Sequence, residues 1–570
     1  MNTYLALTIG PIYKTINASQ RTRMLWGASF LFSYLIRELV KLLQDGKFND
    51  GTLIDDKHPE CKIDGKILIP FADEIDKDKC IAGEGKYADR ILIHSEAGDF
   101  EKVQLAITVL IQFLGKEISQ HLNKQSEEKK IIEDLTDYLQ FYFIEKEIAE
   151  EENAISSLYD DLDVLELRGN YLANDRHNYL FYYLFYLSIK RNNEYSMLAQ
   201  VAFPNKLDKR FRSLIEVSTA GFSNPVRKNQ QYDDLITKCF VKKQKEDVPN
   251  EHISFRGERF ADDDDLQDEF IKELRTSKDF TTQFRKYHQY VAVIFADGDR
   301  IGTTIKKIGD RDATIKVFSK KLLDFNKEMV TLINNYGGAP VYIGGDDIFT
   351  FVPLASIDKD GKQTTIFNLI KEIDTAFEKY FTEEYAQELE VEQPTLSYGV
   401  AIAYYKQPLN ETKEMAHELL SDAKKQKDKN AIELILQEHS GQQFKLSVLK
   451  SKKLSYDQIC GLMNSLTSKL FTKDDEQEKD FINSITHKLK DPLFKTLLLA
   501  VATDHRRLDE FFDNSFNEPI HKGAMKPYLT QVKKLIKAIF TDYGDNEIRI
   551  KNLYSTLRLI DFMHKNPKDE

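Results

Sequence analysis

The feature that most constrains this chain is a Gly-Gly-Asp-Asp segment, Gly344 to Asp347, set between two short apolar runs. The runs, Val341–Ile343 and Ile348–Val352, are rich in β-branched and aromatic residues, which favour extended strands. Consecutive glycines supply the positive φ angles that a tight hairpin requires. The segment therefore predicts a β-hairpin that carries the adjacent carboxylates of Asp346 and Asp347 at its tip. A solvated turn without chemistry is the alternative, since glycine and aspartate are common in turns.

A second acidic segment lies upstream of this hairpin. Tyr290–Phe295 is a nearly continuous apolar run, typical of a buried central strand, and Asp297-Gly298-Asp299 follows it. If this strand is a neighbour of the hairpin, the carboxylates of both segments converge. Carboxylate oxygens suit hard cations such as Mg²⁺, which keep water and substrate phosphates as their other ligands. Two such ions about 4 Å apart can hold the attacking and leaving oxygens of a phosphoryl displacement. The pattern therefore predicts a divalent metal site that serves a nucleotide.

Length, charge and cysteine content exclude several classes of protein. The 570 residues suggest about three or four domains. A net charge of −12 argues against a chain coated with nucleic acid, although 80 lysines and arginines leave room for a local basic groove. No cysteine pair has Cys-x-x-Cys spacing, so a zinc ribbon is not expected, and scattered thiols suit a reducing cytoplasm. With no apolar run near ~20 residues and no basic N-terminal segment, we expect a cytoplasmic protein without a membrane anchor.

The order of predicted elements divides the chain into four parts. Residues 1–125 are expected to form a palm-like domain without metal acids, because Gly10 stands where the later copy has Asp297. Three further parts follow: a mostly helical domain with a charged linker, the palm domain with the Gly-Gly-Asp-Asp hairpin, and a helical C-terminal domain, at 126–285, 286–450 and 451–570. The expected fold class is α+β, with two ferredoxin-like palm domains separated by a helical domain and followed by a helical C-terminal domain.

Several motifs in this chain carry a family resemblance. They are Ile9-Gly10-Pro11, Arg21–Ser29, Ala296–Gly302, Tyr342–Asp347, Ser397–Val400 and Asp422-Ala423-Lys424, in that order. The set resembles the large palm-domain subunit of type III CRISPR effector complexes, specifically the Cmr (III-B) branch. The resemblance spans about residues 1–440, and the helical parts follow from their position alone.

The resemblance implies a function as well as a fold. Such subunits transfer a nucleotidyl group from ATP when guide RNA in the complex pairs with target RNA, so the implied partners are other Cmr subunits and both RNAs. Members make an adenylate messenger, either cyclic oligoadenylate or AMP joined to S-adenosylmethionine, and this sequence does not distinguish the two. Many relatives also carry an HD nuclease and a zinc-binding cysteine cluster. None of the 12 histidines is followed by aspartate and the cysteine cluster is missing, so neither is expected here.

The carboxylates receive the central roles. We expect Asp297 and Asp346 to hold Mg²⁺ or Mn²⁺, with Asp347 completing or tuning the site. Asp299 is either a further ligand or a residue that shapes the turn. Gly298 has no Cβ, so its backbone can approach an ion or a phosphate closely.

Other residues are expected to contact the nucleotide. Gly344 and Gly345 form the hairpin turn beside it. Lys424 could contact the triphosphate, although a surface lysine is the alternative. Ser397 either lines the nucleotide pocket or faces a neighbouring strand. Ser29 of the first palm could lie near a second nucleotide site.

Two other functions stay open at this point. A diguanylate-cyclase-like enzyme normally has Gly-Gly-Asp/Glu-Glu-Phe at the hairpin, whereas this chain has Asp347-Ile348. Such an enzyme would prefer GTP to ATP. A non-catalytic scaffold subunit that organises guide RNA is the other alternative, and it would bind RNA without consuming nucleotide.

Overall fold

The structure of the chain is a computed structural model. It describes residues 2–19, 22–47, 58–73, 87–149, 152–167, 179–181, 183–184, 213–236, 264–281, 283–308, 312–468, 484–515 and 525–564. Much of the predicted helical domain and its charged linker therefore lies outside the described residues.

The first palm is an antiparallel sheet covered by helices. Its elements are β1 Asn2–Gly10, α1 Ile12–Ala18, α2 Thr22–Asp45, β2 Lys66–Ile69, β3 Arg90–His94, α3 Asp99–His121, α4 Glu128–Tyr138 and β4 Gln140–Ile148. The strands pair in the order β2-β3-β1-β4, the order of a ferredoxin-like fold.

The predicted end of the first palm at residue 125 is wrong. β4 pairs with β1 from Asn2 opposite Ile148 to Gly10 opposite Gln140, so the last strand of this sheet lies inside the predicted helical domain. The reason is long-range: β4 is only partly buried and carries charged residues near its end, so its own pattern is weak, and pairing with β1 decides its conformation.

Helical segments follow the first palm. Their described members are α5 Ala154–Glu166, α6 Leu214–Ser218, α7 Gln230–Ile236 and α8 Asp264–Thr276. The α5 helix begins at an Asn153 cap, whose side chain accepts a hydrogen bond from the Ser156 backbone, and it packs on β4 and β1.

The second palm contains the Gly-Gly-Asp-Asp hairpin. Its elements are β5 Tyr290–Asp299, α9 Ile301–Ile308, α10 Asp312–Tyr336, β6 Ala339–Gly344, β7 Asp347–Pro353, β8 Ala355–Ile357, β9 Gln363–Thr365, α11 Ile366–Tyr380, α12 Glu383–Glu388, β10 Thr395–Tyr404, α13 Leu409–Lys425, β11 Ala431–Gln437 and β12 Gln443–Leu449. The main sheet has the order β12-β11-β10-β5-β7-β6, in which β10-β5-β7-β6 is the ferredoxin-like part. The α+β class with two palm domains and helical regions is thereby confirmed.

The central strand β5 is buried on both faces. Val293 packs in the core shared with the first palm, whereas Ile294 packs in the core formed with α10 and α11. Each fully buried side chain of this size contributes about 1.5–3 kcal/mol to stability. Because side chains alternate along a strand, Asp297 has the same direction as Val293 and faces the first palm.

The helix α13 lies unusually close to this sheet. A Cβ on Gly399 would be 2.1 Å from the Ala416 carbonyl oxygen and 2.3 Å from the Leu420 backbone nitrogen. Glycine at this position of β10 therefore lets α13 pack directly on the strand. The last turn of α13, which carries Lys424, comes to the end of β5 as a result.

Helices complete the C-terminal part. They are α14 Lys453–Ser468, α15 Pro492–Val501, α16 His505–Ser515, α17 Met525–Asp542 and α18 Asn546–His564. Of these helices, α14 packs on β9 and α18 packs on β12 of the second palm, and the Leu449 backbone N–H donates to the Tyr543 hydroxyl at 3.2 Å. Within the described ranges, no helix has the length and apolar character needed to cross a membrane.

Candidate active site

The hairpin turn consists of Gly345 and Asp346, between the paired residues Gly344 and Asp347. Gly345 has a φ of +65°, a conformation that glycine adopts without the strain of a Cβ. A Cβ on Gly344 would lie 2.6 Å from the hydroxyl oxygen of Tyr342. The turn therefore favours glycine at 345 by its backbone conformation and at 344 by the nearby Tyr342 ring, and it presents Asp346 at its tip and Asp347 at the start of β7.

The two acidic segments meet, as their sequence pattern predicts. β5 pairs with β7, with Ala296 opposite Ile348, so the end of β5 lies beside the hairpin turn. A Cβ on Gly298 would be 2.6 Å from Oδ2 of Asp346, which places that carboxylate directly over the Gly298 backbone. The Asp346 side chain is also within hydrogen-bonding reach of Asp297.

This proximity changes the acidity of the hairpin carboxyls. Burial first, and the negative charge of Asp297 second, raise the pKa of Asp346 to about 7. Asp347 lies at the start of β7, and part of its surface is exposed to solvent. Enclosure by the protein, followed by the charges of Asp346, Asp297 and Asp89, raises the pKa of Asp347 well above its ordinary value. Carboxyls crowded in this way are stabilised by a cation.

Lys424 belongs to this cluster and is not a free surface lysine. Its ammonium lies 3.1 Å from Oδ2 of Asp297 and 3.0 Å from Oδ1 of Asp299, and it donates to the Gly298 carbonyl oxygen at 2.6 Å. The side chain is only 20% exposed. Lys424 therefore provides a positive charge among the carboxylates.

Asp299 is held by several donors and is fully buried. The hydroxyls of Thr395 and Ser397 donate to its Oδ2 at 2.9 and 2.8 Å, and the Asn430 backbone N–H donates to the same oxygen at 2.9 Å. Ser397 is buried as well, so of its two expected roles it fulfils the contact with a neighbouring strand. These contacts occupy the acceptor positions of Asp299, as expected if it shapes the turn.

Ser29 lies where the first palm contacts the hairpin strand β6. It is fully buried in α2, and its hydroxyl donates to the Val341 carbonyl oxygen of β6 at 2.6 Å. The Ser29 hydroxyl is thus enclosed and already bonded, and the expected place of Ser29 near a second nucleotide site stays a prediction. Ser29 connects the first palm to the hairpin strand.

The first palm also brings a carboxylate that the sequence pattern does not identify. Ala88 lies 3.7 Å from the position that a Cβ on Gly345 would take, so the segment before β3 borders the hairpin turn. The neighbouring Asp89 contributes to the raised pKa of Asp347. No local motif surrounds Asp89, and only the packing of the two palms brings it to the site.

The cluster suits a hard divalent cation by its chemistry. The available donors are carboxylate oxygens and the Gly298 carbonyl oxygen, which Mg²⁺ and Mn²⁺ prefer. Among the described residues, no three acidic, histidine or cysteine side chains already stand in a metal-binding arrangement. The Lys424 ammonium lies between Asp297 and Asp299 instead. Asp297, Asp346 and Asp347 therefore fit a metal in type and proximity, with local side-chain movement.

Two family models match the chain. The second palm domain of Cas10/Cmr2 matches residues 290–433, and the N-terminal domain of the CRISPR-associated protein Cmr2 matches residues 4–61. The first match contains the whole carboxylate cluster and Lys424. No curated protein sequence matches this chain.

Solved structures share the fold across nearly the whole chain. A type III-B Cmr-beta structure in the apo state matches with a TM-score of 0.55 and 12% identity, covering 98% of this chain and 81% of that one. A type III-B Cmr-beta structure bound to cognate target RNA matches with a TM-score of 0.52 and 11% identity, covering 99% and 83%. The chain therefore contains a second palm domain of the Cas10/Cmr2 family and an N-terminal domain of the Cmr2 family, and it shares the fold of the Cmr-beta structures over nearly its whole length.

Proposed function

We propose that this chain is the catalytic subunit of an RNA-guided type III-B CRISPR antiviral complex. In this proposal it transfers nucleotidyl groups from ATP to make an adenylate messenger and releases pyrophosphate. The observation that carries the proposal is the meeting of Asp297 and Asp346 over Gly298, with Lys424 beside them. A purely structural palm has no need for crowded carboxyls whose pKa values burial and mutual repulsion raise.

Each residue of the cluster has its own proposed role in binding the metal or the nucleotide. Asp297 and Asp346 would hold Mg²⁺ or Mn²⁺, and Asp347 would complete the site. The metal, when bound, lowers the pKa of an acceptor hydroxyl and neutralises charge on the departing pyrophosphate. Lys424 can donate to a phosphate oxygen, since lysine binds phosphate as a point charge. Gly298, with no Cβ, leaves room for the close approach of these groups.

The remaining residues of the hairpin and first palm support this chemistry. Gly344 and Gly345 hold the turn that presents Asp346. Asp89 adds negative charge on the side of Asp347, which favours a cation between the palms.

Partners are proposed from the family and from the fold. One structure that shares the fold is a Cmr-beta complex bound to cognate target RNA. We extend this to the present chain and assign it other Cmr subunits, guide RNA and target RNA as partners, with ATP as substrate. Pairing of guide and target RNA would activate the nucleotidyl transfer.

The messenger itself can be either of two products. Cyclic oligoadenylate and AMP joined to S-adenosylmethionine both require the same metal acids, and the acceptor pocket decides between them. The target-bound complex should therefore be supplied with ATP, with and without S-adenosylmethionine, and the product identified by mass. A product that appears only with S-adenosylmethionine assigns the second reaction.

The proposal is tested by replacing both hairpin acids. The double variant Asp346→Asn with Asp347→Asn should abolish ATP turnover and leave assembly of the complex intact, because only the charges are removed. Glu383→Gln with Glu384→Gln is a matched control, since these adjacent acids are exposed at the start of α12. Pyrophosphate release is measured in the presence of guide and target RNA.

The outcomes separate the proposal from its alternatives. Undiminished pyrophosphate release by the purified double variant refutes the assignment of the two acids. Preference for GTP over ATP in the wild type would indicate a diguanylate-cyclase-like enzyme. RNA in the purified complex without metal-dependent nucleotide consumption would indicate a scaffold subunit.

A further inference from the structure

The Lys424 ammonium lies among the oxygen atoms of the carboxylate cluster. Its ammonium contacts Oδ2 of Asp297 at 3.1 Å and the Gly298 carbonyl oxygen at 2.6 Å. These two oxygens belong to the donor set that suits a divalent ion. The ammonium and such an ion therefore compete for the same oxygens of Asp297 and Gly298.

Lys424 also has an anchor that does not depend on Asp297. Oδ1 of Asp299 lies 3.0 Å from the ammonium, and Asp299 is fully buried whereas the Asp297 side chain is 36% exposed. Three other donors, from Thr395, Ser397 and Asn430, hold Asp299 in place. The Lys424 ammonium can therefore lose its contact with Asp297 and keep its ion pair with Asp299.

The segment around this anchor is tied to the end of β5 at more than one point. The Arg300 guanidinium donates to the Asp428 carbonyl oxygen at 3.2 Å, and the Asn430 backbone N–H donates to Asp299 at 2.9 Å. Arg300, Lys429 and Asn430 all have positive φ values, which side chains other than glycine rarely adopt. The connection from α13 to β11 is thus held in a specific shape against β5. Lys424 lies in the last turn of α13, directly before this connection.

We propose that the Lys424 ammonium is the resident cation of the site. It pairs with the Asp297 carboxylate and the Gly298 carbonyl oxygen until a divalent ion binds, and it then stays paired with Asp299. The inference rests on the proposed function and deepens it, because it assigns a regulation of the same site. In the metal-free protein the ammonium offsets the negative charge of Asp297. In the loaded protein it is free to donate to a phosphate oxygen from its Asp299 anchor. Asp299 is then a positioning residue and not a metal ligand.

This exchange has a measurable consequence for metal affinity. A lysine that merely supports the site should leave metal binding unchanged or weaken it when it is removed. A lysine that competes for Asp297 should strengthen metal binding when it is removed, because a positive charge near the ligands is lost. We expect Lys424→Met and Lys424→Gln to bind Mn²⁺ roughly tenfold more tightly than the wild type, allowing for the solvent that reaches this site.

The experiment is a Mn²⁺ titration of the full chain without nucleotide, followed by the electron paramagnetic resonance signal of free Mn²⁺. The Gln variant keeps an amide N–H for Asp299, so it guards against a folding defect in the Met variant. Lys425→Met is the matched control, because Lys425 is the next residue on α13, is 71% exposed and pairs with Asp422. Asp297→Asn identifies the binding that belongs to this site.

Each outcome decides the inference. The exchange is supported by tighter Mn²⁺ binding in the two Lys424 variants, with Mn²⁺ affinity unchanged in Lys425→Met. The gain should also disappear when Asp297→Asn is combined with either Lys424 substitution. Equal or weaker binding by a folded Lys424 variant overturns it. An equal gain in Lys425→Met also overturns it, because the effect would then reflect net charge alone. Since ATP is not used, failure here leaves the proposed nucleotidyl transfer to be judged by pyrophosphate release from the complex.

Discussion

Gly298 offers the most direct test of the site's geometry. In Gly298→Ala the new Cβ would lie 2.6 Å from Oδ2 and 2.8 Å from Cβ of Asp346, and 2.6 Å from Cγ1 of Ile301. Ordinary contact begins at 3.4 Å, so each neighbour must retreat by about 0.6 to 0.8 Å. Since the contact includes the Asp346 Cβ, a rotation of the carboxylate alone does not relieve it. The tip of the hairpin must move away from β5.

This displacement should affect catalysis more than stability. A misplacement of about 1 Å in a catalytic group can cost about 100-fold in rate, which is the loss we expect in ATP turnover. Overpacking of this kind costs about 1–3 kcal/mol in the free energy of unfolding, so the variant should remain folded. Turnover is measured as pyrophosphate release from the target-bound complex, and stability by urea unfolding.

Gly302→Ala is the matched control for this prediction. Gly302 lies four residues further on, inside α9, and a Cβ there would meet nothing within 4 Å. The substitution should leave turnover unchanged and increase stability by about 0.5–1 kcal/mol, because alanine favours a helix over glycine. Wild-type turnover in Gly298→Ala would refute the placement of Asp346 over the β5 backbone.

Two further predictions concern pH and the contact between the palms. The pKa of Asp346 is about 7 in the folded chain and near 3.8 when unfolded, so the folded state binds the extra proton between these values. Without metal, the free energy of unfolding should therefore fall as pH rises from about 4 to about 7. In urea unfolding with EDTA, Asp346→Asn should reduce this dependence on pH. Parallel curves of unfolding free energy against pH for the wild type and the variant would contradict the pKa shift. Ser29→Ala leaves the buried Val341 carbonyl without its 2.6 Å hydrogen bond and should cost about 1–3 kcal/mol in urea unfolding. The exposed Ser126→Ala is its control, and equal stability of the two variants would show that the bond contributes nothing.

Local patterns in the sequence predicted the hairpin and the central strand well. The apolar run before Asp297 and the glycines before Asp346 are short-range signals, since strand alternation and turn geometry depend on neighbouring residues. The ferredoxin-like order of the second palm follows from the succession of such elements. By contrast, β4 of the first palm was predicted within a helical domain, because only its pairing with β1 makes it a strand.

The sequence by itself determined which residues have the chemistry for a metal and nucleotide site, namely the carboxylates at 297, 346 and 347. Only the tertiary structure decided how the neighbouring polar residues are used. It buried Asp299 beneath Ser397 and Lys424, enclosed Ser29 between the palms, and brought Asp89 to the hairpin from a distant part of the chain. The physical reason is that side-chain type is a local property, whereas burial, hydrogen-bond partners and charge repulsion depend on distances that arise when the two palms pack together.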